Sequence, residues 1–235
     1  MLDRSSAYLV LAAFAFAACD ADVEAPLSAP AATGRLRFVN ATPDTAKARA
    51  VNVRIDGLAW VANQAYKAAT GYVLALPGDR EIDVRKTQDT TISVVSQAVT
   101  VAASTDYTLL ATGIAPDLAG LTHTDDNAAP TAGNVKVRIV HASPAAGTLD
   151  VYVTAPGADL STETPDHTNL SYRGVTPYLT LPAGSYRIRW TTPATITVAG
   201  DTTTALLAAG QIRTVVLLDK VGGGTPQTYT ILGDR

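Results

Sequence analysis

Leu36-Arg37-Phe38-Val39-Asn40-Ala41-Thr42-Pro43 is written a second time, with small changes, as Val137-Arg138-Ile139-Val140-His141-Ala142-Ser143-Pro144, 101 positions later. An arginine stands between apolar residues, small residues follow, and a proline that cannot donate to a sheet ladder closes the phrase. A side-chain period of two is the signature of a strand with one buried face. A repeat of this length makes the chain a tandem array and has to be settled before any local motif.

The duplication extends outward from these strands. Val51-Asn52-Val53-Arg54-Ile55 corresponds to Leu149-Asp150-Val151-Tyr152-Val153, Tyr66-Lys67 to Tyr172-Arg173, and Tyr72 to Tyr178. Both copies reach a Leu-Pro turn, Leu76-Pro77 and Leu181-Pro182, and Ala102-Ala103 and Thr108 align with Ala208-Ala209 and Thr214. Each copy closes on acid, in segments 121–126 and 229–234. The copies are placed at 35–131 and 132–235, joined by the short Pro130-Thr131-Ala132-Gly133 hinge. Arg35-Leu36-Arg37-Phe38-Val39 begins with polar and apolar residues in turn, and Tyr186-Arg187-Ile188-Arg189-Trp190 does the same, with Tyr, Ile and Trp on one face. Leu76-Pro77-Gly78-Asp79 has the Pro and Gly of a type II turn, and Leu181-Pro182-Ala183-Gly184 fits type I. Seven or eight short strands per copy, with no amphipathic helix, predict an all-β chain: two tandem antiparallel β-sandwiches of immunoglobulin-like form. Phe38, Tyr186 and Trp190 are expected in their cores.

The composition agrees. The 235 residues are 47% apolar and 17% charged, with 17 Gly, 13 Pro and one Cys. That is too apolar for disorder and too punctuated for long helices. A net charge of −3 supplies no basic field for nucleic acid. The single cysteine excludes both an internal disulfide framework and a thiolate zinc site.

That cysteine, Cys19, follows a short n-region and an unbroken apolar run at 7–18. Twelve helical residues reach about 18 Å, short of a ~30 Å hydrocarbon core, so the run suits an export signal better than a span. Ala17-Ala18-Cys19 resembles the end of the bacterial lipoprotein signal. The resemblance implies removal of residues 1–18, acylation of Cys19 and a membrane anchor, with Asp20 in the position that sorts some lipoproteins to the inner membrane. Two or three acyl chains, at about 0.8 kcal/mol per buried CH2, give stable attachment. Residues 19–34 then read as the lipidated cysteine and a flexible tether; largely extended, 20–34 reach about 45 Å.

The His141-Ala142-Ser143-Pro144 strand end, the Asp150-Val151-Tyr152-Val153 strand, the hairpin at 178–186 and the linker Asp125-Asp126-Asn127-Ala128-Ala129-Pro130 resemble the bacterial domain-of-unknown-function family numbered 4397. The resemblance implies an exported, often tandem protein and carries over no activity, ligand or catalytic residue.

Other chemistry is sparse. His123, His141 and His167 lack metal-ligand spacing, and His141 near Ser143 lacks a nucleophile elbow. Asp125-Asp126-Asn127 groups oxygen ligands without a calcium-loop pattern, and the glycine-rich stretch 220–225 is a hairpin rather than a phosphate loop. The duplicated Tyr66, Lys67, Tyr72, Tyr172, Arg173 and Tyr178 could form an aromatic and cationic ligand surface. The chain is therefore expected to be an exported, lipid-anchored envelope protein facing the periplasm or the exterior. No catalytic residue, metal or cofactor is expected. The preferred role is a non-catalytic binding or adhesion module for a glycan, cell-wall or envelope-protein partner. A structural spacer is the alternative and an extracytoplasmic hydrolase the remote one.

Overall fold

In a computed structural model, which describes residues 32–43 and 50–234, the repeated strands become the inner layers of a four-layer stack. Cys19, Asp20 and most of the tether lie outside the described residues. The first module contains β1 (Gly34–Ala41), β2 (Ala50–Ile55), β3 (Leu58–Ala65), β4 (Val73–Ala75), β5 (Gly78–Lys86), β6 (Ser93–Val101), β7 (Asp106–Thr112) and β8 (Ala119–Asp125). The second contains β9 (Asn134–His141), β10 (Leu149–Thr154), β11 (His167–Leu170), β12 (Leu179–Pro182), β13 (Gly184–Thr191), β14 (Val198–Asp201), β15 (Ala205–Leu207), β16 (Ile212–Leu218) and β17 (Thr228–Gly233). Helix among the described residues is confined to two 3-10 turns, Pro144–Ala146 and Leu160–Thr162, and no helix there is long and apolar enough to cross a membrane.

Each module pairs an inner sheet with an outer one. The inner sheets run β4-β1-β7-β8 and β12-β9-β16-β17; the outer sheets run β3-β2-β5-β6 and β11-β10-β13-β14, with β15 also on β13. The ladders are antiparallel except for one pair per module, β1 with β7 and β9 with β16, which run parallel. Period-two patterning fixes which side of a strand is apolar and is silent on its neighbour's direction. Arg37 stands beside Thr108 in one parallel pair and Arg138 beside Thr214 in the other.

Two apolar cores fill the sandwiches. Leu36, Phe38, Val53, Ile82, Val84 and Leu109 pack in the first, and Ile139, Val151, Ile188, Trp190, Val215 and Leu217 in the second. Phe38 and Trp190 are fully buried, as expected; Tyr186 is only half-buried, its hydroxyl donating to the Pro182 carbonyl at 2.8 Å. Gly200 accommodates the indole, since a Cβ there would lie 2.5 Å from the Trp190 ring.

A third apolar cluster, with Val39, Ala41, Leu110, Val140, Ala142, Val216 and Leu218, joins the two inner sheets back to back. Strands β1, β7, β9 and β16 are consequently buried on both faces. Residues Ala32–Arg235 form one compact unit rather than two bodies on a hinge. Across this seam β1 and β9 point the same way. Lys136 near the start of β9 meets Asp126 at 2.6 Å, while beyond the far ends the Gly222 N–H donates to the Pro43 carbonyl at 2.8 Å. The unit thus has a proximal end, where β1 and β9 begin, and a distal end.

Candidate functional site

The polar side of β1 and β9 faces the seam rather than water. Arg37 Nε donates to Thr108 Oγ1 at 2.7 Å, its Nη1 to the Gly233 carbonyl at 3.2 Å, and its Nη2 lies 2.6 Å from Asp234 of the other module. Arg138 repeats the arrangement: Nε donates to Thr214 Oγ1 at 2.9 Å, Nη1 to the Thr124 carbonyl at 2.9 Å, and Nη2 pairs with Asp125. The threonines complete both circuits, Thr108 donating to Asp125 at 2.7 Å and Thr214 to Asp234 at 2.6 Å. Each guanidinium also lies under a tyrosine ring, Arg37 at 4.9 Å from Tyr72 and Arg138 at 4.8 Å from Tyr178. Each buried cation is therefore neutralised mainly by an anion from the opposite copy. Such pairs are costly to bury, and hydrogen bonds to threonines and backbone carbonyls offset part of that cost here.

This seam absorbs all six side chains expected to form a ligand surface. The Tyr72 hydroxyl donates to Asp125 at 2.5 Å and that of Tyr178 to Asp234 at 3.2 Å. The Tyr66 hydroxyl donates across the seam to the Asp219 carbonyl at 2.6 Å, and Lys67 Nζ donates to Thr228 at 2.8 Å. Tyr172 shares a 3.4 Å contact with Thr112, and Arg173 Nη2 donates to the Asp117 carbonyl at 2.9 Å. Burial pushes the Tyr66, Tyr72 and Tyr178 hydroxyls well above the ordinary phenol value, so they remain protonated donors. All six are half-buried: Tyr66, Lys67, Tyr172 and Arg173 reach across to the other module, while Tyr72 and Tyr178 bond the aspartate of their own. For a lone sandwich this face would be solvent-exposed; a second module covers it.

His141, Ser143 and the acidic loop at 125–127 are also engaged. The Ser143 N–H donates to His141 Nδ1 at 3.3 Å, which leaves the ring proton on Nε2 to meet the Gly147 carbonyl at 2.6 Å. The Ser143 hydroxyl donates to Asp219, not to the imidazole. Burial lowers the pKa of His141 and keeps the ring neutral. Asp126 pairs with Lys136, and the Asn127 side-chain amide donates to Asp106 at 2.6 Å, so Asp125, Asp126 and Asn127 serve separate partners. No group of three or more His, Cys, Asp or Glu residues among the described residues is arranged to hold a metal ion.

Sequence reasoning missed a cleft of about 780 Å3 on the outer sheet of the second module, at the distal end. Its floor is the outward face of β10, with Asp150 and Tyr152; its walls include Ser161, Thr168, Asn169 and Thr195. Asp150 holds the walls, accepting the Asn169 N–H at 2.8 Å and the Ala194 N–H at 2.9 Å. Asp159 caps the turn at Ser161 at 2.9 Å, and Arg189 donates to the Ala158 carbonyl at 2.8 Å. The cleft is thus built before any ligand arrives, with hydroxyls and an amide around an aromatic floor. A signal for it existed: the offset between copies grows from 98 at Val51/Leu149 to 106 at Tyr66/Tyr172, eight extra residues that form part of its wall.

The comparison with curated proteins returns no match. Among solved structures, the Bacillus anthracis TIE protein aligns at 13% identity and a TM-score of 0.27, over 81% of this chain and 34% of that one. A leucine-rich repeat protein from Bacteroides thetaiotaomicron aligns at 14% identity and a TM-score of 0.21, over 83% of this chain and 27% of the other. The chain therefore spans about a third or less of the length of these structures. The family described as "Domain of unknown function (DUF4397)" matches in two segments, 28–152 and 154–235, which together take in nearly every strand of both modules. This chain belongs to the DUF4397 family.

Proposed function

We propose that the protein is a lipid-anchored component of the bacterial envelope, and that its fused sandwiches act as a non-catalytic binding module with the distal cleft as the binding site. The observation that carries this reading is the preformed cleft of about 780 Å3, whose one buried carboxylate, Asp150, is spent on its own walls. Hydroxyl and amide groups over a tyrosine, with the exposed carboxylate of Glu163 among the lining residues, suit a polyhydroxyl ligand such as a cell-wall glycan better than an anionic one. The His141–Ser143 pair, with both ring nitrogens and the hydroxyl engaged within the chain, supports the non-catalytic part. Cys19 directly after Ala17-Ala18 supports the anchor.

The test is retention of the purified protein on cell-wall glycan. Ser161→Trp or Thr168→Trp, both at exposed positions, should abolish retention and leave the melting temperature unchanged. Retention that survives both plugs removes the cleft from consideration. A protein that binds no envelope polymer or protein, yet whose modules are both needed in cells, would instead be a spacer; the continuous seam favours that second reading. Intact mass of the membrane-extracted chain reads the acylation of Cys19 independently.

A further inference from the structure

The proximal end carries an apolar surface that no part of the described chain covers. Leu58, Leu74 and Leu76 are 76%, 72% and 59% exposed. They rim an open groove of about 360 Å3 between the edge strands β3 and β4, with Ile55, Trp60 and Val73 beneath. Leu206, 77% exposed, stands at the corresponding end of the second module, paired with Ser185 just after the β12–β13 turn. The leucines of the first module are held outward on a braced turn. Arg80 donates to the Leu76 carbonyl at 3.0 Å and to the Pro77 carbonyl at 2.7 Å, while its other arm reaches Asp56 at 2.9 Å. Large apolar side chains grouped on a rigid surface mark an interaction face.

Its location selects the occupant. The groove adjoins the start of β1, where Gly34 pairs with Ala75 and Leu36 with Val73. Only fourteen residues separate Cys19 from that strand, so an acylated Cys19 places this end nearest the lipid and the cleft farthest from it. Arginine beside a leucine cluster suits the headgroup boundary, where the guanidinium stays hydrated while apolar neighbours descend. We propose that the proximal end is a membrane-seating face, in which Leu58, Leu74 and Leu76, with Leu206 at the same end of the second module, enter the lipid interface and aim the distal cleft away from the bilayer. This deepens the lipid-anchor reading and rests on it for its biological setting.

The experiment replaces the anchor, so that the two ideas fail separately. Because Ala32–Arg235 is a self-contained unit, a histidine tag in place of residues 1–31 can hold it on zwitterionic vesicles doped with a nickel-chelating lipid. Bromine on the acyl chains of those vesicles should quench Trp60, whereas fully buried Trp190 supplies a constant background. The triple variant Leu58→Ser, Leu74→Ser, Leu76→Ser, bound through the same tag, should lose that quenching. Without the tag, partition onto the vesicles should fall about tenfold for each leucine removed. Leu74→Ser alone gives the same reading in reduced degree if the triple variant does not fold. Equal quenching in parent and variant, or none in either, overturns the proposal. Flotation of the native chain against Cys19→Ser reads the anchor by itself.

Discussion

Between Ile55 and Leu58 the first module turns in two residues, Asp56 and Gly57, with φ of 51° and 77°, the conformation of a type I′ hairpin. At the matching place the second module takes residues 155–166 to travel from β10 to β11, including a 3-10 turn, and those residues wall a cleft. The seam shows no such divergence: arginine, threonine, tyrosine and aspartate occupy equivalent places on both sides. The duplicated surface that joins the copies has stayed paired, and the outer rim of one copy has been free to grow. Loops at the ends of a sandwich tolerate such change because the sheets position them.

The strongest way to break this equivalence is at the arginines. Arg37→Ala strips buried Asp234 of its guanidinium, Arg138→Ala leaves buried Asp125 only the 3.9 Å contact with Arg37, and each should cost about 3–5 kcal/mol in urea unfolding. Costs that differ by more than about 2 kcal/mol would show that the two halves of the seam are not energetic counterparts. Glycines test the rims next. Gly200→Ala presses a Cβ to within 2.5 Å of the Trp190 ring and should cost about 1–3 kcal/mol. Gly57→Ala meets no neighbour within 4 Å but keeps a φ of 77°, and should cost about 1 kcal/mol. Tyr66→Phe removes the 2.6 Å bond to Asp219 and should cost about 1 kcal/mol, and Tyr172→Phe less, since its contact is 3.4 Å. Thermal melts of the pair check that order.

The smallest effect separates the copies by pH. Burial holds the pKa of His141 below its ordinary 6.5, so the unfolded chain takes up protons before the folded one does. Its contribution to stability is complete above pH 6.5 and declines as pH falls below it. His123, lowered for the same reason, adds to that slope. The first copy has Asn40 where the second has His141, so His141→Asn should flatten part of the slope in melting temperature on the acid side of 6.5.

The repeat, the strands and the Phe38 and Trp190 cores were legible because alternation and recurrence are local signals. Even the Thr108/Thr214 correspondence, half of each arginine's support, could be read from spacing. The fate of Arg37 and Arg138 could not. Alternation assigns them to the side opposite Phe38 and Ile139, and only the packing of the second copy turns that side from water to interior. The closing acids carried a one-residue ambiguity: the sequence aligns Asp126 with Asp234, whereas the seam makes Asp125 its counterpart and sends Asp126 to Lys136. The tyrosines were chosen because they recur, and they recur because the seam uses each of them twice. The cleft was missed because attention to what the copies share passes over what only one has.

The exchange of counter-charges across the seam constrains how this architecture can be inherited. Cutting the chain at 131 would leave Arg37 without Asp234 and Arg138 without Asp125, so neither half is an independent part. Two identical halves related by a two-fold axis would satisfy the same requirement, since each would lend its acid to the other. A polypeptide bearing a single copy is therefore expected to self-associate, with gene fusion converting that dimer into the pseudosymmetric two-module unit described above.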